Sequence, residues 1–189
     1  MRFSTVTTLL FGGIASAQLG SDMPITCQNG NTTPPPMPAD PMPPPPPPPQ
    51  VDPEPYKFAS KPCLGRIIYD WKAIEGAHQP NSLKNGELAT DTIDIPENAI
   101  LIVTDRNLRC EIFEVSVDNK VLGETYGTAP LDNKPCGNAD QCMNNNGGAH
   151  GFFFVPKGRR TIGTRWVKVS EACKYHASGS SPYQIRAMC

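Results

Sequence analysis

Seven consecutive prolines, Pro43 to Pro49, set the first limit on what this chain can fold into. They lie within Pro34 to Pro55, where fourteen of 22 residues are proline. Proline fixes φ and has no N–H to donate, so this stretch supports neither helix nor sheet and reads as polyproline II or irregular chain. At about 3.1 Å per residue it is a semi-rigid spacer able to hold its ends up to roughly 70 Å apart. Residues 18–55 also carry Asp22, Asp40, Asp52 and Glu54 and no basic residue. They are expected to be a disordered, acidic, Pro-rich spacer, which leaves one folded domain over residues 56–189.

Ahead of the spacer, Arg2 leads into an apolar block with Val6, Leu9, Leu10, Phe11 and Ile14 that ends at Ala15-Ser16-Ala17. This is the pattern of a cleaved secretory signal peptide over residues 1–17. The block is too short to span a bilayer and no later run reaches the roughly 18–20 apolar residues a membrane helix needs, so no membrane insertion is expected. A secreted location puts thiols where disulfides persist. There are seven cysteines, six of them after residue 60, and six allow 15 pairings, so the sequence leaves connectivity open. Position alone suggests that Cys136 and Cys142 staple a short polar loop and that Cys63 and Cys189 join the two ends of the domain. Cys110 and Cys173 then pair by default, and Cys27 has no assigned partner. No Cys-x-x-Cys is present and no histidine stands at finger-like spacing, so neither a metal nor a cofactor is expected. Asn31-Thr32-Thr33 is a glycosylation acceptor in a polar segment.

From Tyr56 onward, short β-branched and aromatic runs alternate with turn residues, as in an all-β sandwich. About eight strands are expected: Leu64 to Trp71, Leu88 to Ile95, Ala99 to Thr104, Glu111 to Val117, Val121 to Thr125, Phe152 to Val155, Arg160 to Val169 and Tyr183 to Ala187. The turns Pro96-Glu97-Asn98 and Pro156-Lys157-Gly158 read as three-residue hairpin loops, and Asp118-Asn119-Lys120, between Val117 and Val121, as a tight turn in which Asn119 tolerates positive φ. Period-two alternation places Phe113, Val115 and Val117 on one face and turns Glu114 to solvent. In Arg160 to Val169 the apolar positions change parity between Trp166 and Val167, which indicates a bulge or a strand buried on both faces, with Trp166 in the core. The fold class is thus a disulfide-stapled antiparallel β-sandwich.

Chemistry is harder to find. Gly-x-Ser-x-Gly, His-Glu-x-x-His, Gly-x-Gly-x-x-Gly and a phosphate loop are all absent. Glu111 and Glu114 cannot act as a glycosidase pair, since an odd offset on a strand sends them to opposite faces. His78, His150 and His176 fall in separate loops or strand edges. A formal net charge of −1 gives no field for nucleic acid. Five residues are left as binding candidates. His150 stands at a strand entrance, where its ring can bond neighbouring backbone. Asp105 either caps the next turn or offers an oxygen to Ca²⁺. Trp71 is a possible sugar platform, and Asn144 and Asn145 lie in the Asn-rich 133–146 loop, the best surface for contact.

Val103-Thr104-Asp105, the run Phe113 to Thr125, and Ala149-His150-Gly151-Phe152-Phe153-Phe154-Val155-Pro156-Lys157-Gly158 together resemble a group of small secreted fungal β-sandwich proteins. The likeness covers about residues 88–187, with Lys120, Ala149 and Arg159-Arg160 in place of that group's turn Gly, Ser and small-plus-His pair. The resemblance implies a secreted, non-catalytic sandwich at a fungal surface or host interface. The expected function is an extracellular, effector-like or wall-associated binding module whose partner is polysaccharide or host protein. A dedicated carbohydrate-binding module and a hydrolase with an unrecognised site are the alternatives.

Overall fold

The structure is a computed structural model that describes residues 51–77, 86–176 and 178–189. The signal peptide, the spacer through residue 50, Cys27, Asn31 and His78 lie outside the described residues. The strands are β1 (Tyr56–Lys57), β2 (Leu64–Ala77), β3 (Ala89–Ile95), β4 (Ala99–Thr104), β5 (Asn107–Leu108), β6 (Glu111–Val117), β7 (Lys120–Glu124), β8 (Pro135–Gly137), β9 (His150–Val155), β10 (Gly158–Val169) and β11 (Ser178–Met188). One helix, α1 (Ala139–Asn144), lies between β8 and β9, and a 3₁₀ turn, Glu171–Cys173, precedes β11. A five-stranded sheet runs β1-β9-β4-β11-β2, a four-stranded sheet runs β3-β10-β6-β7, and β5 pairs with β8 in a small ribbon. Every pairing is antiparallel. All eight expected strands are present. The three added ones have only two or three residues each, too short for an alternation pattern to register.

Alternation assigns the faces. Leu101 and Val103 of β4, Phe153 and Val155 of β9, and Tyr183 and Ile185 of β11 point inward from the larger sheet. They meet Ile95, Phe113, Val115, Val117, Ile162 and Trp166 from the smaller one. The opposite face of the larger sheet is also covered: Ile100, Ile102 and Phe152 pack under Met143 of α1, beside Phe58, Leu64 and Trp71. All six residues of β4 are therefore buried, which is why Ala99 to Thr104 reads as an unbroken apolar run instead of an alternating one. The parity change in β10 is a bulge, where the register with β6 shifts between Trp166 and Lys168. It leaves the Trp166 ring against Gly179, where a Cβ would sit 2.0 Å from Cζ2.

One turn forms as expected and two do not. Asp118 (φ 51°) and Asn119 (φ 66°) close the β6–β7 hairpin, the geometry that requires positive φ at both central residues. Asp118 then accepts the Thr161 N–H at 2.9 Å and Arg160 Nη1 at 3.1 Å, which ties the hairpin to β10. The Pro96-Glu97-Asn98 and Pro156-Lys157 turns are not hairpin loops, because each joins a strand of one sheet to a strand of the other. Ile95 pairs with Gly158 in the small sheet while Ala99 pairs with Val155 in the large one, so the two crossovers lie side by side. Asn98 Oδ1 accepts the Lys157 N–H at 3.0 Å and links them. Proline and asparagine set the local reversal, but whether the chain then pairs with itself or changes layer depends on the tertiary partners.

Three disulfides close the domain: Cys63–Cys189, Cys110–Cys173 and Cys136–Cys142. The first joins the start of β2 to the residue after β11 across a sequence separation of 126. In the chain-entropy view a loop of that size is worth on the order of 5 kcal/mol. Replacing both Cys63 and Cys189 by Ser is expected to lower the unfolding free energy in urea by about that amount while leaving the far-ultraviolet circular dichroism β-rich. A loss below about 1 kcal/mol would remove this bridge as a main constraint on the unfolded chain.

Candidate binding site

The segments between β4 and β6 and between β7 and β9 supply β5, β8 and α1, an insert packed on the outer face of the large sheet. Cys136–Cys142 staples this insert at a sequence separation of six. The 133–146 segment, expected as an Asn-rich loop, in fact contains β8 and α1. Asn138 caps the helix: its side chain accepts the Gln141 N–H at 2.9 Å, and Gln141 Oε1 accepts the Asn138 N–H at 3.0 Å. This reciprocal pair is a capping box, and Asn-x-x-Gln was its available sequence signal.

Between the insert and the sheet lies a cleft of about 350 Å³. Its floor is Trp71, Lys72 and Ala73 of β2 with Pro182 of β11, and its roof is Arg106, Asn107, Asn138, Ala139 and Asp140. The Trp71 indole N–H donates to Asp140 Oδ2 at 3.1 Å, which fixes the ring and bridges floor to roof. Trp71 is half-buried because its inner edge packs on the Ile100, Ile102 and Phe152 layer, so it is a wall of a cleft instead of the open platform the sequence suggested. Asn107 has φ 68°, a left-handed conformation that asparagine adopts more easily than most residues. The cleft thus joins one aromatic face to two side-chain amides and a carboxylate, while the charged ends of Lys72 and Arg106 are paired with Asp91 at 2.6 Å and Glu75 at 3.5 Å.

The other four expected binding residues lie elsewhere. Asn144 accepts Lys61 Nζ at 3.0 Å and donates to the Asp140 carbonyl at 3.0 Å, so it ties α1 to the segment before β2. Asn145 ends α1 and lines a separate cleft with Arg109, Lys134 and Gly147. In that cleft Arg109 holds Asp132 through Nε at 3.0 Å and Nη2 at 2.7 Å. His150 opens β9, as expected, with Nδ1 2.9 Å from the Gly148 carbonyl and its ring between Tyr126 and Phe152. Tyr126 and Phe58 border a third, shallower cleft with Lys57 and Ala59. The sequence analysis missed Lys72, Arg106 and Asn107, and held Asn138 and Asp140 only as part of the 133–146 contact segment, since nothing local joins β2 to the insert. His176 lies with Cys110 and Cys173 within 4.8 Å, but the two sulfurs are bonded to each other and offer no thiolate to a metal.

Asp105 does not cap the turn that follows it. It continues the inward parity of Leu101 and Val103, is 1% exposed, and reaches across to the residue before β9, where Oδ2 accepts the Ala149 N–H at 2.7 Å. Burial and the nearby Glu111 charge push its pKa well above the usual carboxylate range. Glu111 shares the inward parity of Phe113, and burial lifts its pKa from 4.5 to about 7. Glu114, on the other face, is covered more than expected by an ion pair with Arg165 at 2.7 Å. The two perturbed acids line none of the three clefts described above. Compared with known proteins, the chain matches no family model, no curated protein and no solved structure.

Because folding raises both pKa values, the native state binds more protons than the unfolded chain from pH 4.5 upward. For Glu111 the stability this allows is therefore complete below about pH 4.5 and is lost as pH rises through about 7. For Glu111 the expected loss across that window is about 3 kcal/mol. Urea unfolding in chelator-treated buffer should show the decline, and Glu111→Gln should remove its share of the slope. An unchanged slope in that variant overturns the assignment.

Proposed function

We propose that the chain is an extracellular, non-catalytic binding module that takes carbohydrate in the Trp71 cleft. The supporting observation is the cleft's composition: a fixed indole face beside Asn107, Asn138 and Asp140. Sugar rings present apolar C–H faces that stack on aromatic rings and equatorial hydroxyls that bond planar amides and carboxylates. Three disulfides fit an oxidising, extracellular setting, and among the described residues no helix is long and apolar enough to cross a membrane. The likeness to small secreted fungal sandwiches supports the same setting, at a wall or host surface. A hydrolase reading gains less support, because the acids with raised pKa lie away from the cleft.

The test is pull-down on insoluble chitin, β-glucan and cellulose, followed by calorimetry with the oligosaccharide of whichever is retained. Trp71→Ala is expected to weaken binding at least about tenfold, or about 1.4 kcal/mol. Asn107→Gly keeps the left-handed backbone, removes the amide, and should weaken binding without loss of fold. Retention of none of the three polysaccharides, with capture of a defined host protein unaffected by Trp71→Ala, overturns the carbohydrate reading.

A further inference from the structure

We infer that Asp105 and Glu111 form the core of a Ca²⁺ site between the two sheets, at the end of the sandwich that carries the β9 entrance. The argument starts from alternation. Leu101, Val103 and Asp105 follow one another on the inner side of the large sheet, and Glu111, Phe113, Val115 and Val117 on the inner side of the small one. Packed sheets stand about 10 Å apart, so side chains of both layers meet between them. Every earlier inward position in these two series is apolar. The acids end the two series, and the Glu111 charge is felt at Asp105.

Neither acid has a positive partner among the described contacts. Arg106, adjacent to Asp105 in sequence, is turned to Glu75 at 3.5 Å, and Arg109, two residues from Glu111, is committed to Asp132 by two hydrogen bonds. Lys168, one position from the Val169 that pairs with Glu111, is exposed to solvent. Asp105 Oδ2 is used by Ala149, but Oδ1 is buried with no hydrogen-bond partner. Ser170 Oγ is also buried without a partner, on the residue whose N–H bonds the Cys110 carbonyl at 2.9 Å, next to Glu111. Buried oxygens without partners are rare in folded proteins and mark a place where a bound species is needed; a cation there takes the place of the protons by which buried acids otherwise neutralise themselves. Oxygen donors alone, two of them carboxylates, select a hard cation. Ca²⁺ accepts 6–8 oxygens in flexible geometry and suits an irregular site better than Mg²⁺, which demands a near-ideal octahedron.

Its structural consequence is local. Asp105 N–H donates to the Ala149 carbonyl at 2.9 Å, Thr104 Oγ1 donates to the same carbonyl at 3.1 Å, and Asp105 Oδ2 takes the Ala149 N–H. A cation on Asp105 would therefore brace the residue before His150.

The test is calorimetric titration of CaCl₂ into the folded, chelator-treated protein at pH 8, with thermal unfolding followed in parallel. One site per chain is expected, together with a rise in the unfolding midpoint that NaCl at equal ionic strength does not give. Asp105→Asn keeps an acceptor for the Ala149 N–H, and Glu111→Gln keeps the shape; each should weaken Ca²⁺ at least about tenfold. Absence of heat and of any midpoint shift up to about 10 mM Ca²⁺, beyond the range of weak extracellular sites, overturns the inference. So does an equal shift from NaCl, or unchanged Ca²⁺ affinity in a folded Glu111→Gln protein. None of these outcomes bears on polysaccharide binding, which is read separately at Trp71.

Discussion

The burial of β4 on both faces is the constraint from which the rest of the architecture follows. A strand with one wet face would alternate, yet Ala99 to Thr104 is covered throughout, with Leu101 and Val103 against the small sheet and Ile100 and Ile102 facing the other way. Leaving that second face in water would expose a continuous apolar patch on the large sheet, at a cost of roughly 25 cal/mol for each Å². Met143 of α1, with Phe58, Leu64 and Trp71 from the flanking chain, covers it. The molecule therefore has three layers, and the third is assembled from segments too short to be stable alone.

That outer layer also creates the cleft. Six residues of helix cannot persist by propensity, and α1 is held by the Asn138–Gln141 capping box, the Cys136–Cys142 bridge and the seat of Met143. Once α1 is placed, Asp140 stands over β2 and receives the Trp71 N–H. The same indole that seals the apolar layer on its inner edge walls the cleft on its outer one. Structure and proposed recognition therefore use a single side chain, which is why Trp71 is half-buried and not presented on the surface.

Much of the fold was legible because it rests on local chemistry. The eight longer strands follow from β-branched runs and their turns, the β6–β7 turn from Asn119, which tolerates positive φ, and the β10 bulge from the parity change beside Trp166. What stayed hidden depends on partners distant in sequence. Pro96 and Pro156 announce reversals, but the layer change at each is set by the pairing of Ile95 with Gly158 and of Ala99 with Val155. The cleft brings residues 71–73 under residues 106–107 and 138–140, a meeting no spacing rule encodes. Of the five expected binding residues, only Trp71 lies in it.

Asp105 shows a signal that was present and went unread. Extending the β4 alternation by one inward step places this carboxylate in the core, and the same rule applied to β6 places Glu111 opposite. Both look like surface residues when judged by type, since Asp and Glu are almost never fully buried unless paired. Their position at the ends of inward series outweighs that prior. The strand register is fixed by the apolar side chains of the core and cannot slip by one residue without turning those of the slipped strand outward. The sheet geometry therefore imposes the burial on the two acids, and the protein must neutralise them where they stand instead of releasing them to solvent.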